Sequence, residues 1–327
     1  MTRVEDMTYY KITLESNGLL TQLPDSQRLF GALVYMFSNE YGGDKATALA
    51  KALLDKSIHL ALSNVLPYDY LPAPQESMIE KLTGLHGNTA VTLKAKHAEI
   101  KKRSYIQTAK LEDVLRDPQG CTALFPYVQL RTQQQLRASI ESERYNIPAL
   151  ESKLYSVPIV EVLEVINEEQ KKPVNTFCFL LQADGSDLCA DLLNMLNEAV
   201  KTKQTIILGK RASQGLNIFK FSCIKDINEQ ILANISATSF LNTGMLLPDE
   251  INFASSTLKL FTSERRPFEM SGGWKKIFTR YYISFIAEGS LISAPSGSAG
   301  AGKSVKSCFN ENRDIVFGNA FLYPISL

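Results

Sequence analysis

The sequence predicts an α+β protein: a β-α-β-β-α-β unit carrying a long insertion, followed by a smaller β-rich region. Three observations predict it. Residues 7–15, MTYYKITLE, alternate like a strand with one buried face, and 26–41, SQRLFGALVYMFSNEY, place apolar residues at helical spacing. Residues 156–223 then read strand, strand, helix, strand, and the rest is mostly strand-like.

In the first strand, Tyr10, Ile12 and Leu14 share one face and Tyr9, Lys11 and Thr13 the other. The helix over 26–41 repeats Leu29, Phe30, Leu33, Val34, Met36 and Phe37, with Asp25 or Ser26 placed to cap it after Pro24. A second helix follows over 44–56. Three prolines in VLPYDYLPAPQ, 65–75, exclude a helix there and predict an extended segment. From there to about 155 the chain is polar; within it 93–117 reads as partly helical, and 145–155 as a loop entering a strand. Residues 156–184 read as two strands around a charged turn at Glu168–Lys172. Residues 186–203 form a helix whose face is Leu188, Leu192, Leu193, Leu196 and Val200. Residues 204–223 give a short apolar run, a basic glycine loop and an alternating strand. The expected organisation is one unit over 1–226, with its insertion at about 60–155 between the first helix and the hairpin, and a second over 227–327. In the second, 256–264, 278–294 and 314–325 are the expected strands.

The length of 327 residues suits about two domains. With 35 basic and 34 acidic residues the net charge is +1, so any nucleic-acid surface must come from local clustering of cations. The five cysteines, Cys121, Cys178, Cys189, Cys223 and Cys308, include no C-x-x-C pair, which argues against a zinc site or a disulfide framework. The N-terminal MTRVEDMTYYKITLES lacks a signal peptide's apolar run, and no stretch is long and apolar enough to span a bilayer. A cytoplasmic protein without a membrane partner is expected.

Residues 297–304, GSAGAGKS, fit the phosphate-binding pattern G-x-x-x-x-G-K-[ST]. That chemistry needs a strand before the loop and a helix after it. Only 23 residues follow Ser304, and they read as NENRD, an alternating strand and Pro324. The expectation is a flexible Gly/Ser loop between two strands.

The sharper glycine loop is LGKRASQG, 208–215. Gly209 and Gly215 permit close backbone approach, Lys210 and Arg211 supply two cations and Ser213 a hydroxyl. Together they suit the phosphates of a nucleic-acid strand, or a solvated tight turn. KAKHAEIKKR, 94–103, holds the densest basic cluster: Lys94, Lys96, Lys101, Lys102 and Arg103. A helix would align Lys94, His97 and Lys101 on a face that binds RNA or simply faces solvent. SERRPF and GGWKKIFTRYY interleave Arg265, Arg266, Lys275, Lys276 and Arg280 with Phe268, Trp274, Phe278 and Tyr282, a mixture suited to single-stranded RNA or an ordinary hairpin. The three histidines, His59, His86 and His97, form no recognisable catalytic motif.

In this order LPDSQRLFGALVYMF, LPYDYLPAP, LGKRASQGLNIFKF and FIAEGSLI…IVFGNAFLYP resemble the Csm-four subunit of type III-A CRISPR effector complexes, a RAMP protein of the Cas-five-like group. The resemblance covers most of the chain, and its most specific parts are the proline-rich segment and the GKR loop. It implies two ferredoxin-like (RRM-like) units, the second smaller and β-rich. It also implies a non-catalytic role: capping the 5′ handle of a crRNA, and joining the large polymerase/cyclase-like subunit to the backbone RAMP filament. No cofactor or metal is implied. Gly209, Lys210, Arg211, Ser213 and Gly215 would line the handle, with Gln27 and Arg28 nearby, and Lys94 to Arg103 would reach RNA or a neighbouring subunit. The chain departs from the pattern at SQGLNIF, with Asn217 where a second glycine is common and Ile218 where a basic residue is common. It departs again at Gln27, which replaces an acidic residue. A crRNA-processing endoribonuclease and the sister RAMP subunit at the crRNA 3′ end are the alternatives.

Overall fold

The computed structural model describes residues 7–83, 90–117, 120–140, 152–234, 236–265, 281–308 and 314–326. The chain opens with strand β1 (Thr8–Ser16) and helices α1 (Ser26–Tyr41) and α2 (Gly43–Leu54). Asp25 caps α1, its Oδ1 accepting from the Arg28 N–H at 2.9 Å. Short strands β2 (Leu60–Leu62), β3 (Leu66–Pro67) and β4 (Tyr70–Pro72) follow, so the proline-rich segment is extended as expected. Next come α3 (Gln75–Thr83), α4 (Ala90–Lys102), β5 (Tyr105–Gln107), α5 (Leu111–Arg116) and two long strands, β6 (Tyr127–Ile140) and β7 (Ser152–Val165). Then come β8 (Lys171–Pro173), β9 (Thr176–Ala183), α6 (Asp187–Lys201), β10 (Thr205–Ile207), β11 (Ile218–Asp226) and α7 (Asn228–Leu232). The C-terminal region holds β12 (Ser239–Asn242), β13 (Leu260–Arg265), β14 (Tyr281–Ile286), β15 (Leu291–Ser293), β16 (Val305–Lys306), β17 (Ile315–Val316) and β18 (Leu322–Pro324).

The main sheet runs β10-β11-β1-β9-β2, with β3 also paired to β9, and its named pairings are antiparallel. Ile12 and Leu14 of β1, Phe177 and Phe179 of β9 and Phe219 and Phe221 of β11 share one core with Leu29, Leu33 and Phe37 of α1 and Leu192 and Leu196 of α6. The order β11-β1-β9-β2, with α1 between β1 and β2 and α6 between β9 and β11, gives strand-helix-strand, strand-helix-strand. The molecule is α+β.

One pairing differs from the sequence reading. The strand expected at 156–165 is β7, and it lies in a separate sheet, β4-β5-β6-β7-β8. The main-sheet strand after the first helix is instead β2, three buried residues. A fully buried three-residue strand shows no alternation, whereas β7 has fourteen residues and displays a period. The intervening segment therefore carries the sheet β4 to β8, between β2 and β9, rather than lying between the helix and a 156–184 hairpin.

The C-terminal region is β-rich, with sheets β15-β12-β18, β13-β14 and β16-β17. Among the described residues 239–326 it carries no α-helix. It shares the main core: Phe317 stacks on Phe30 at 4.3 Å, and Phe321 is wholly buried. It also closes one edge of the main sheet. The Leu62 N–H donates to the Asn319 carbonyl at 3.0 Å, and the Phe321 N–H to the Leu62 carbonyl at 3.0 Å.

Candidate nucleic-acid interface

The GKR loop joins β10 to β11, and Asn217 builds its frame. Asn217 is fully buried and adopts φ 58°, a left-handed conformation that asparagine tolerates better than most residues. Its Oδ1 accepts from the Thr21 N–H at 2.8 Å. Its Nδ2 donates to the Lys210 carbonyl at 2.8 Å and to Thr21 Oγ1 at 2.9 Å. Gly209 is glycine for packing reasons: a Cβ there would stand 2.8 Å from the Asn217 amide group. The departure at Asn217 thus supplies positive φ together with a side-chain clamp that a second glycine could not provide. Arg211 (φ 68°) and Gly215 (φ 73°) complete a tight path around the short 3-10 turn Ala212–Gln214.

This frame leaves the loop's polar groups outward. Lys210, Arg211, Ser213 and Gly215 are exposed. Among the described residues the backbone N–H groups of 209–213 make no hydrogen bond within the chain. Two cations beside free N–H groups are the kind of chemistry that suits an anion.

Residues distant in sequence complete the site. Arg211 lies 5.5 Å from the Tyr155 ring centroid, and Arg137 donates to Gln214 Oε1 at 3.0 Å. Both partners belong to the β6–β7 hairpin, which leans on the loop through Val157, Ile159 and Leu216. Sequence reasoning missed Arg137, Tyr155 and Gln214; the alternation of LRTQQQLRASI was the available signal. Arg28 also joins the site, lining a groove of about 490 Å³ with Gly209 and Lys210. Gln27, one residue earlier on α1, is not among the walls of that groove.

The basic helix lies elsewhere. Lys94 and Lys101 of α4 are exposed and Lys96 is half-buried. Lys102 pairs with Glu99 at 2.5 Å. Arg103 is only 1% exposed; its guanidinium lies 4.4 Å from the Tyr127 ring and donates to the Glu99 carbonyl at 2.8 Å. Its placement in a candidate RNA surface is corrected here: burial and stacking make Arg103 a packing residue. Tyr127 and Arg137 lie ten positions apart on β6, a separation of roughly 30 Å along an extended strand. The α4 lysines and the GKR loop therefore form two patches.

The GSAGAGKS segment lies between β15 and β16, and a strand rather than a helix follows Ser304. The expected flexible loop is packed. Ala301 is buried, a Cβ on Gly302 would meet Leu246 Cδ1 at 2.8 Å, and Lys303 donates to Asp249 Oδ1 at 3.1 Å. Gly300 and Gly302 serve close packing, and Gly297 supplies a positive φ of 87°. His59 is half-buried beside Asp184, and burial lowers its pKa. Burial pushes the Cys178 and Cys189 thiols up to about 12, so they are not nucleophiles at neutral pH. Among the described residues no cluster of His, Cys, Asp or Glu could hold a metal ion, and no helix is long and apolar enough to cross a membrane. His86 and most of the 263–282 basic-aromatic stretch lie outside the described residues.

The sheet order, the long hairpin and the exposed loop define an α+β protein with a cationic turn at the surface. No protein-family model and no curated protein matches the sequence. The same fold occurs in a crystal structure of a Csm3-Csm4 subcomplex of the type III-A CRISPR-Cas interference complex. That likeness has a TM-score of 0.57 at 14% identity and covers 97% of this chain and 100% of that one. It occurs again in Csm1-Csm4 cassettes in complex with cA4 (TM-score 0.53, 16% identity) and with pppApA (0.53, 15%), each covering 98% of both chains. Csm4 is the component common to these assemblies, so the fold agrees with the resemblance read from the residues.

Proposed function

We propose that this chain is a non-catalytic, crRNA-binding subunit of a type III-A CRISPR–Cas complex. In this reading Lys210, Arg211, Ser213 and the free N–H groups of the GKR loop hold the phosphates of the crRNA 5′ handle, with Arg28 and Arg137 at its flanks. The subunit links the large polymerase/cyclase-like subunit to the backbone filament. The β1-α1-β2-β9-α6-β11 unit is read as ferredoxin-like, and the C-terminal region as a reduced second unit packed on it. The observation that carries the reading is the GKR loop: a buried asparagine clamps its path and leaves cations and N–H donors facing outward. The likeness in fold to Csm4-containing structures supplies the class of partner.

The test is co-expression with the other subunits of its complex and a repeat-spacer transcript, followed by sequencing of the co-purified RNA and photo-cross-linking from Lys210. The expected result is a cross-link to nucleotides at a defined 5′ end, and no cleavage of the repeat RNA by the purified chain. Cross-links to the spacer's 3′ end would favour the sister subunit, and cleavage would favour the endoribonuclease.

A further inference from the structure

The main sheet has two edges, and the chain treats them differently. At β2 the outer edge is closed by Asn319–Phe321. At β10 it is open. The Leu208 N–H donates to the Asn217 carbonyl and the Phe221 N–H to the Gln204 carbonyl. Antiparallel alternation then turns the N–H and C=O of Thr205 and Ile207 away from β11. Among the described residues these four groups have no partner.

The open edge forms one wall of the groove of about 490 Å³ whose other wall is α1. Tyr35 stands on that wall with 69% of its surface exposed, opposite Ile207, itself 50% exposed. At one end are Arg28 and Lys210, and no carboxylate lines the groove. The volume falls within the range of small-molecule sites.

We propose that this groove holds one unpaired nucleobase of the bound RNA. The base stacks on Tyr35, presents its hydrogen-bonding edge to the free backbone groups of Thr205 or Ile207, and leaves its phosphate at Arg28 and Lys210. The inference rests on the RNA-binding reading of the GKR loop and adds a base pocket to it. An aromatic platform takes any base by its π-face, whereas fixed N–H and C=O groups discriminate between bases. The open edge also matches an extended peptide. The two cations, the absence of acidic walls and continuity with the GKR loop favour the nucleotide.

The experiment titrates the full chain with single-stranded RNA oligonucleotides carrying 2-aminopurine at one position at a time near the 5′ end. It compares the wild type with Tyr35→Ala, Tyr35→Phe and the Lys210→Ala, Arg211→Ala pair, after confirming unchanged melting temperatures. One position should be quenched by the wild type and by Tyr35→Phe. In Tyr35→Ala the quenching should disappear and affinity should fall about tenfold, the equivalent of roughly 1.4 kcal/mol. Equal quenching and affinity in Tyr35→Ala, with weakened binding only in the Lys210, Arg211 pair, would overturn the base pocket and leave the RNA-binding reading standing. Wild-type protein that binds none of the oligonucleotides overturns both. Loss of a protein subunit from the assembled complex in Tyr35→Ala, with RNA binding intact, would make the groove a peptide-docking site and also overturn the proposal.

Discussion

The Asn217 side chain donates to the Lys210 carbonyl oxygen across 2.8 Å, so the residue that ends the GKR loop fixes the backbone of the residue that begins its cationic stretch. Stability and binding should therefore separate cleanly between the two positions. Asn217→Ala removes a buried clamp and places alanine at φ 58°. It should lower unfolding free energy by about 2–4 kcal/mol, combining lost hydrogen bonds with left-handed strain. Asn217→Gly relieves the strain and should cost less. Denaturant midpoints of the two variants check the order, and equal losses would remove backbone strain from the account.

Lys210→Ala with Arg211→Ala should leave stability within about 0.5 kcal/mol, because both side chains are exposed. RNA retention should fall, and the log–log salt slope should drop by roughly 0.7 for each phosphate that is no longer neutralised. Salt-dependent binding isotherms on the purified double variant measure this.

On α4 the cations should behave oppositely. Arg103→Ala empties a buried stack on Tyr127 and should cost about 2–4 kcal/mol of stability. Lys94→Ala with Lys101→Ala should leave stability unchanged. If that patch meets RNA, the pair lowers the salt slope, and an unchanged slope identifies a solvated face.

Lys303→Ala should leave RNA binding intact, and the chain should show no ATPase activity, because the segment after Ser304 is a strand. Burial raises the Asp249 pKa, but hydrogen bonds from Lys56 and Lys303 outweigh it and hold the carboxylate below its usual range. Its contribution is therefore present above the ordinary aspartate pKa and is lost as pH falls through the lowered one. Lys303→Ala should shrink that acid-side loss in unfolding curves below about pH 4.

Glu288 supplies a pH dependence of the other sign. Burial raises its pKa, against hydrogen bonds donated by Asn64 Nδ2 and Tyr105 Oη, each at 2.9 Å. A raised carboxyl pKa means the folded state binds the proton more tightly, so stability falls as pH climbs from the unfolded value of about 4.3 through the folded one. Glu288→Gln should flatten that decline. Urea midpoints between about pH 4 and 8 test it, and parallel curves for wild type and variant would exclude Glu288 as the source.

Local patterns in the sequence carry much of this protein. Helical spacing and the Asp25 cap set α1 at 26–41, apolar periodicity set α6 to within two residues, and three prolines kept helix out of 65–74. The lack of helical periodicity after Ser304 already spoke against a phosphate loop, and strand β16 follows there. These features depend on neighbours within a few residues, which is the range over which periodicity and capping act. What the tertiary structure decided depends on partners far away. The three residues of β2 are a strand because β9 and Asn319–Phe321 lie beside them. Arg103 looked like its neighbouring lysines until β6 placed Tyr127 against it, and Arg137 and Tyr155 entered the site because β6 and β7 run long enough to reach Leu216. The glycine and cations of the GKR loop were legible one residue at a time. Its path was not, because the group that holds it meets Thr21, 196 positions earlier in the chain, and pairings closed over that distance leave no periodic trace in sequence.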